Sequence, residues 1–205
     1  MDMLYFDLQQ RMFSASAAGD LPLLRELISN GVDINCRDRT GMTPFLTAVL
    51  HDCAKAARFL LHHGAELGEV LDEDGSVLHI MVWIEHLPRV RQLVRSPRMV
   101  ESRDGEGRSP LLLAAMRRNE TIVRLLLEHE APVDTADHDG NTALSVSAAN
   151  GDIRIVELLL RNGAQVEGSA YHSRTPLQLA TDDDVIALLR EYGAQDQACW
   201  QRLVG

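Results

Sequence analysis

The sequence predicts an all-α solenoid of stacked helix-turn-helix units, and three observations support that reading. Leu27, Leu60, Leu93, Leu126 and Leu159 recur every 33 residues, with similar residues around each. A unit this short cannot bury its apolar face alone; it becomes stable by stacking on neighbours, which leaves a long exposed surface suited to binding other proteins. Hydrophobic residues make up 45% of the 205 and aromatics only 4%, with Ala and Leu dominant, the palette of short, closely packed helices rather than of a sheet. A turn followed by a helix start also returns in register: Gly41-Met42-Thr43-Pro44-Phe45-Leu46, Gly107-Arg108-Ser109-Pro110-Leu111-Leu112, Gly140-Asn141-Thr142-Ala143-Leu144-Ser145 and Ser173-Arg174-Thr175-Pro176-Leu177-Gln178.

Each block opens the first helix of a unit. Thr or Ser can cap the free N–H groups of the first turn, and the Pro after it has its fixed φ and missing N–H where a helix tolerates both. Small residues follow at Ala114-Ala115 and Ala148-Ala149, where two helices must approach closely. The second helix runs Ile122-Val123 to Leu127 and Ile155-Val156 to Leu160, apolar at helical spacing. Gly31, Gly64 and Gly163 end it, as Gly at a left-handed C-terminal position does.

These motifs resemble the ankyrin repeat, whose pattern has a turn Gly, Thr-Pro-Leu-His, Ala-Ala, a paired Leu-Leu and a terminal Gly-Ala. The resemblance covers nearly the whole chain. It implies an ankyrin-repeat solenoid: a right-angled stack of helix pairs with β-hairpin-like finger loops, binding through the fingers and the concave inner-helix face. Repeats fall near 5–37, 38–70, 71–103, 104–136, 137–169 and 170–194, in a single domain, 1–205, that ends in a short tail, 195–205. In the first unit, Leu4, Leu8 and Met12 form an i, i+4 apolar stripe without the Thr-Pro signature. The last unit lacks three residues between Ala180 and Leu189, and Asp182-Asp183-Asp184 stands where a helix start favours acids. Trp200 and Leu203 in the tail are expected to fold back on the end of the stack.

The third unit departs most from the pattern. It reads Ser76-Val77-Leu78 at the Thr-Pro-Leu position, its turn Gly is shifted to Gly75, and Pro88 and Pro97 bracket a second helix without a terminal Gly. His79 keeps the family's His, which implies a structural role, bridging neighbouring hairpins. Asp72-Glu73-Asp74, with Glu66 and Glu69 before it, makes an acidic finger, while Arg89, Arg91, Arg95 and Arg98 follow on the outer helix. Degenerate repeats can be held by their neighbours or can mark function, and the acidic finger is the favoured contact.

The formal charge of −10 argues against a nucleic-acid ligand, because phosphate binding needs a basic footprint; a basic protein partner would be steered in. Cys36, Cys53 and Cys199 show no CxxC pairing, so neither a disulfide framework nor a thiolate metal site is expected, and a reducing cytoplasm is the expected location. No apolar run approaches the roughly 20 residues of a membrane span, and Asp2 and Asp7 stand where an export signal would be basic and then apolar. No catalytic constellation or cofactor is expected. Gly105-Glu106-Gly107-Arg108-Ser109 lacks the Gly-Lys-Ser/Thr ending of a phosphate loop. Asp137 to Asn141 has its Gly too early for a calcium loop, and His62-His63 lacks a third ligand.

In ankyrin repeats the two residues after the Ala-Ala position project toward the groove. Here they are Leu50-His51, Trp83-Ile84, Met116-Arg117 and Ala149-Asn150. Leu50, Trp83 and Met116 fall 33 apart, an apolar stripe flanked by fingertip residues Arg39, Met42, Glu73, Asp74, Glu106, Arg108, His138, Asp139 and Asn141. Aromatic and Met side chains at an exposed groove suit a binding hot spot; the alternative is that they pack between inner helices as core. The expected function is a non-catalytic protein-binding module, monomeric by itself, acting as an immunity-type or regulatory inhibitor by occupancy. A scaffold, or a host-directed effector that recruits without inhibiting, is the alternative.

Overall fold

The computed structural model describes residues 2–66, 76–167 and 174–195, with side chains from residue 7 onward except that of Ser76. The acidic finger residues Glu69, Asp72, Glu73 and Asp74, the shifted Gly75, and the tail residues Cys199, Trp200 and Leu203 lie outside this description, as do the side chain of Leu4 and the start of the last unit's turn block at Ser173. The described residues are organised as α1 (Asp2–Ala18), α2 (Leu21–Ser29), α3 (Pro44–Leu50), α4 (Ala54–His62), α5 (Ser76–Trp83), α6 (Leu87–Leu93), α7 (Pro97–Val100), α8 (Pro110–Met116), α9 (Glu120–Glu128), α10 (Ala143–Ala149), α11 (Ile153–Arg161), α12 (Pro176–Leu179) and α13 (Asp183–Glu191). Two compact units result: Met1–Glu73 with Ile84–His86, and Asp74–Trp83 with Leu87–Gly205.

Inner helices start as the sequence dictates. Thr43, Ser109, Thr142 and Thr175 each accept the N–H of the residue three places on, at 3.3, 3.1, 3.2 and 3.4 Å. Such a cap satisfies one of the N–H groups a helix start leaves unpaired, for about 1 kcal/mol. Outer helices α2, α4, α6, α9 and α11 begin at Leu21, Ala54, Leu87, Glu120 and Ile153, in strict steps of 33. The three residues missing from the last unit come out of its inner helix: α12 has four residues where α8 and α10 have seven. Asp182 caps α13, accepting from the N–H groups of Asp184 and Val185, so the acidic run is a helix start.

Helix ends repeat as faithfully. After α2, the Gly31 N–H donates to Ile28 O and the Val32 N–H to Leu27 O; the same pair of bonds closes α4 at Gly64, α9 at Glu130, α11 at Gly163 and α13 at Gly193. This paired closure requires a left-handed residue. Inner helices close in the same way at Gly19, Asp52, Arg118 and Gly151. Asp52 (φ 58°), Glu85 (57°), Arg118 (56°) and Glu130 (59°) hold that conformation without being glycine. Each therefore bears roughly 1–2 kcal/mol of strain, carried by the surrounding bonds.

In the first unit α1 packs on α2 and α3, and α4 on α2 and α3; in the second, α5, α8, α10 and α12 pack in succession, with outer helices against them. The core is the expected ladder, with Leu27, Leu60, Leu126 and Leu159 each no more than 1% exposed. Leu93 departs from it: the side chain is half-buried, although Val94 beside it is buried like its counterparts Leu127 and Leu160. The cause is Pro97, whose ring cannot adopt the left-handed φ that the register asks of that position. Helix α6 accordingly stops at Leu93, two residues short of its counterparts, and Pro97 opens the short α7. Arg89 and Arg91 are on α6 and Arg98 on α7, so the arginine group does not share one outer helix.

Adjacent repeats are stapled by polar side chains at a fixed register. Asn35 accepts the Glu66 N–H and donates to Gly64 O; Asp134 accepts the Gln165 N–H; Glu167 accepts the Gln195 N–H. The first two reach 31 residues ahead and the third 28, shorter by the three residues the last unit lacks.

Candidate partner-binding site

Three of the described finger loops are each built around one aspartate. Asp38 Oδ1 accepts the N–H groups of Thr40 and Met42, Asp104 those of Glu106 and Arg108, and Asp137 those of Asp139 and Asn141. The side chain of each aspartate thereby satisfies two fingertip N–H groups. The Thr40 hydroxyl, with backbone N–H groups behind it, holds the Asp38 carboxyl below the usual carboxylate range. Burial pulls the Asp104 carboxyl upward, but hydrogen bonds from the Arg108 side chain and from the loop backbone outweigh it and leave it lowered. The Asp137 loop is thus the repeat's own turn, and among the described residues no group of three acidic, His or Cys side chains is placed to hold a metal.

The fingers of the second unit are joined to each other. Buried His79 reaches the Arg108 carbonyl at 2.8 Å, so its Nε2 carries the proton and bridges α5 to the next finger, the role the resemblance implied. The His138 N–H donates to Glu106 O at 3.0 Å. Its ring lies over Gly107, where a Cβ would come within 2.6 Å of it. The Arg108 guanidinium is shared between Asp104 (2.8 Å) and Glu106 (2.7 Å), and the Asn141 amide is held by Asp137. Arg108 and Asn141 therefore shape the fingers, whereas Arg39, Glu106, His138 and Asp139 are exposed at the tips and Met42 is half-buried.

The residues after the small-residue pair fall at inner-helix ends. Leu50, Trp83 and Met116 are the last residues of α3, α5 and α8. In the first unit Leu50 is 72% exposed; in the second Met116 is 42% exposed and Trp83 half-buried. His51, Arg117 and Asn150 cap those ends and are exposed, with the His51 ring turned back onto Thr47 O at 2.9 Å. Ile84 departs from the expected groove position: its side chain is fully buried, and its carbonyl accepts from Arg58 Nε at 2.6 Å. Burying an isoleucine is favourable by roughly 1.5–3 kcal/mol, and the polar residues at the matching positions have no such drive inward.

One set of residues escaped the sequence reading. The left-handed positions 19, 52, 85, 118 and 151 form their own 33-residue ladder, and two of its charged members make ion pairs. Glu85 meets Arg58 at 3.4 Å within the first unit; Arg118 meets the α11 cap Asp152 at 2.6 Å within the second. Gly19 and Gly151, in register, were the available signal.

Comparisons with known proteins agree with this architecture. A family model described as ankyrin repeats in three copies matches residues 78–170 and 136–198, and one described as ankyrin repeats in many copies matches 12–52. Mouse Rabankyrin-5 is 34% identical over 109 residues, 51% of this chain but 9% of that protein. A putative ankyrin repeat protein of Rickettsia bellii is 27% identical over 125 residues, 60% of this chain and 69% of that one. Among solved structures, the ankyrin repeat domain of Bcl-3, described as a unique member of the IkappaB protein family, superposes with a TM-score of 0.56 at 26% identity, covering 88% of this chain and 97% of that chain. Capped inner helices, left-handed closures, the His79 bridge and the family matches converge: the chain belongs to the ankyrin-repeat family, whose repeats are protein–protein interaction scaffolds.

Proposed function

We propose that this chain is a non-catalytic inhibitor that binds a single protein partner at its inner-helix ends and finger loops and acts by occupying it. The observation that carries the reading is the exposure of large apolar side chains at inner-helix ends, Met116 at 42% and, in the first unit, Leu50 at 72%, where neighbouring Ala114, Ala115 and Ala48 are buried. Exposed apolar side chains placed among fixed polar loops are the raw material of an interface core. The formal charge of −10 supports a basic partner, brought in by long-range attraction. Likeness to a member of the IkappaB family supports a regulatory role. The thiols of Cys36 and Cys53 are free, in keeping with a reducing, cytoplasmic setting, and no described helix is long and apolar enough to cross a membrane. The acidic finger, Glu73 and Asp74, is assigned to the same interface, and the free protein is a monomer.

The test has two readouts. Once a partner is captured, Trp83→Ala should weaken binding by at least ~2 kcal/mol, about 30-fold, if Trp83 anchors the interface. A dissociation constant equal to that of the parent, with folding intact, removes Trp83 from the site. Equimolar titration then follows the partner's own activity: abolition supports inhibition, and a saturated complex that stays active establishes the scaffold reading instead.

A further inference from the structure

The outer helices of the first unit carry a second surface of different chemistry. Between α2 and α4 runs an open groove of about 350 Å³, lined by apolar Leu21 and Phe59, by the cations Arg25, Lys55 and Arg58, and by His62 and His63. No carboxylate is among the described residues lining it, although the chain has 30 acidic side chains to 20 basic ones. The cations differ in how far they are committed. Arg58 is engaged by the Ile84 carbonyl at 2.6 Å and by Glu85 at 3.4 Å. The Arg25 guanidinium lies 5.8 Å from the centre of the Phe59 ring, a cation–π contact that positions it but leaves its N–H groups unspent. Lys55 is exposed, and neither it nor Arg25 has a hydrogen-bonding or ionic partner among the described residues.

We propose that this groove docks an acidic segment of a protein partner, which lays one apolar side chain on Leu21 and Phe59 and sets carboxylates against Arg25 and Lys55. Charge complementarity selects the occupant: two cations without a hydrogen-bonding or ionic partner among the described residues, beside apolar lining, match carboxylates flanking a hydrophobic residue. A nucleic acid fits poorly, because its continuous phosphate backbone needs a basic footprint and the chain as a whole carries net charge −10. The site lies on outer helices and does not depend on the inner-helix reading above.

The experiment uses the full chain and a fluorescein-labelled peptide of about a dozen residues, alternating Glu and Asp with Leu and one Phe, followed by anisotropy. Expected is saturable binding that weakens with added salt, falls about tenfold or more in Arg25→Glu/Lys55→Glu, and is unchanged in Trp83→Ala. Circular dichroism melting checks that the doubly reversed variant stays folded; both residues are exposed and make no hydrogen bond or ion pair among the described residues, and Arg25→Gln/Lys55→Gln provides a milder second pair. The proposal is overturned if the folded double variant binds like the parent, or if the peptide does not bind. It is equally overturned if a Gln/Asn version, or a phosphoserine version without apolar residues, binds as tightly.

Discussion

The third and fourth repeats occupy adjacent registers of the same unit, begin their outer helices exactly one period apart at Leu87 and Glu120, and end them differently. In the fourth, α9 runs nine residues to Glu128 and closes through left-handed Glu130; in the third, Pro97 stands at that position and α6 stops after seven. The consequence is in the core, where Leu126 is fully buried while its counterpart Leu93 is half-exposed. Repetition therefore sets where each helix starts, but the residue after its last turn decides how deeply the ladder leucine is buried. Even a charged residue is tolerated there, provided its φ can be positive.

The largest expected effect tests that contrast directly. Leu126→Ala should cost roughly 2–5 kcal/mol through the cavity it leaves, read as a lower urea midpoint at unchanged slope. Leu93→Ala should cost markedly less. Equal losses would show that the third repeat is packed as tightly as the fourth and that the shortened α6 is energetically silent.

Next in size is Gly107→Ala. The added methyl meets the His138 ring at 2.6 Å and must also hold φ near +77°. Strain and overpacking together should cost about 2–3 kcal/mol. Gly41, at the matching finger position of the first unit, has the same left-handed φ (+82°) with open space around it, so Gly41→Ala should show the strain alone, about 1 kcal/mol. If both variants melt alike, the contact between fingers contributes nothing.

How much of this was written in the chain depends on the range of each interaction. Caps at Thr43, Ser109, Thr142 and Thr175 were legible because a hydroxyl and its N–H target lie three residues apart, and the Leu27 to Leu159 ladder because burial recurs at the repeat's own period. Asp52, Glu85 and Arg118 were not, because local propensity asks for Gly there, and what holds them left-handed is the closing pattern of the helix. The Asn35, Asp134 and Glu167 staples depend on a carbonyl or N–H of the next repeat, which no local rule reports. For the candidate site, exposure at Leu50 and Met116 matched the register argument, whereas Ile84 did not, since its position alone cannot say whether an apolar side chain turns in or out.

Glu130→Gly should be stabilising. Relief of left-handed strain, about 1–2 kcal/mol, exceeds the added backbone entropy of glycine, about 0.5–1, so a net gain near 0.5–1 kcal/mol is expected. Arg118→Gly gains the same relief and loses the Asp152 pair, worth up to ~1 kcal/mol at this partly exposed site, and should come out near zero. Identical shifts for the two variants would mean that the ion pair between the turns adds nothing to stability.

The smallest effect separates the two fingers by their acids. The fourth finger is organised by Asp104, where the third has Leu71 at the corresponding place in the sequence. Because the Asp104 carboxyl is lowered in the folded state, its contribution is complete above the unfolded value, near pH 4, and fades as pH falls through the folded one. Asp104→Asn keeps an oxygen for the two loop N–H groups but gives up the charge facing Arg108. At neutral pH the variant should lose less than about 1 kcal/mol, because the Arg108 pair is partly exposed to water. As pH falls below about 4 the gap between variant and parent should narrow progressively, since the parent carboxyl is increasingly neutralised as well. A gap that stays constant from pH 7 to pH 2 would assign the role of Asp104 to loop geometry alone, with no part for its charge.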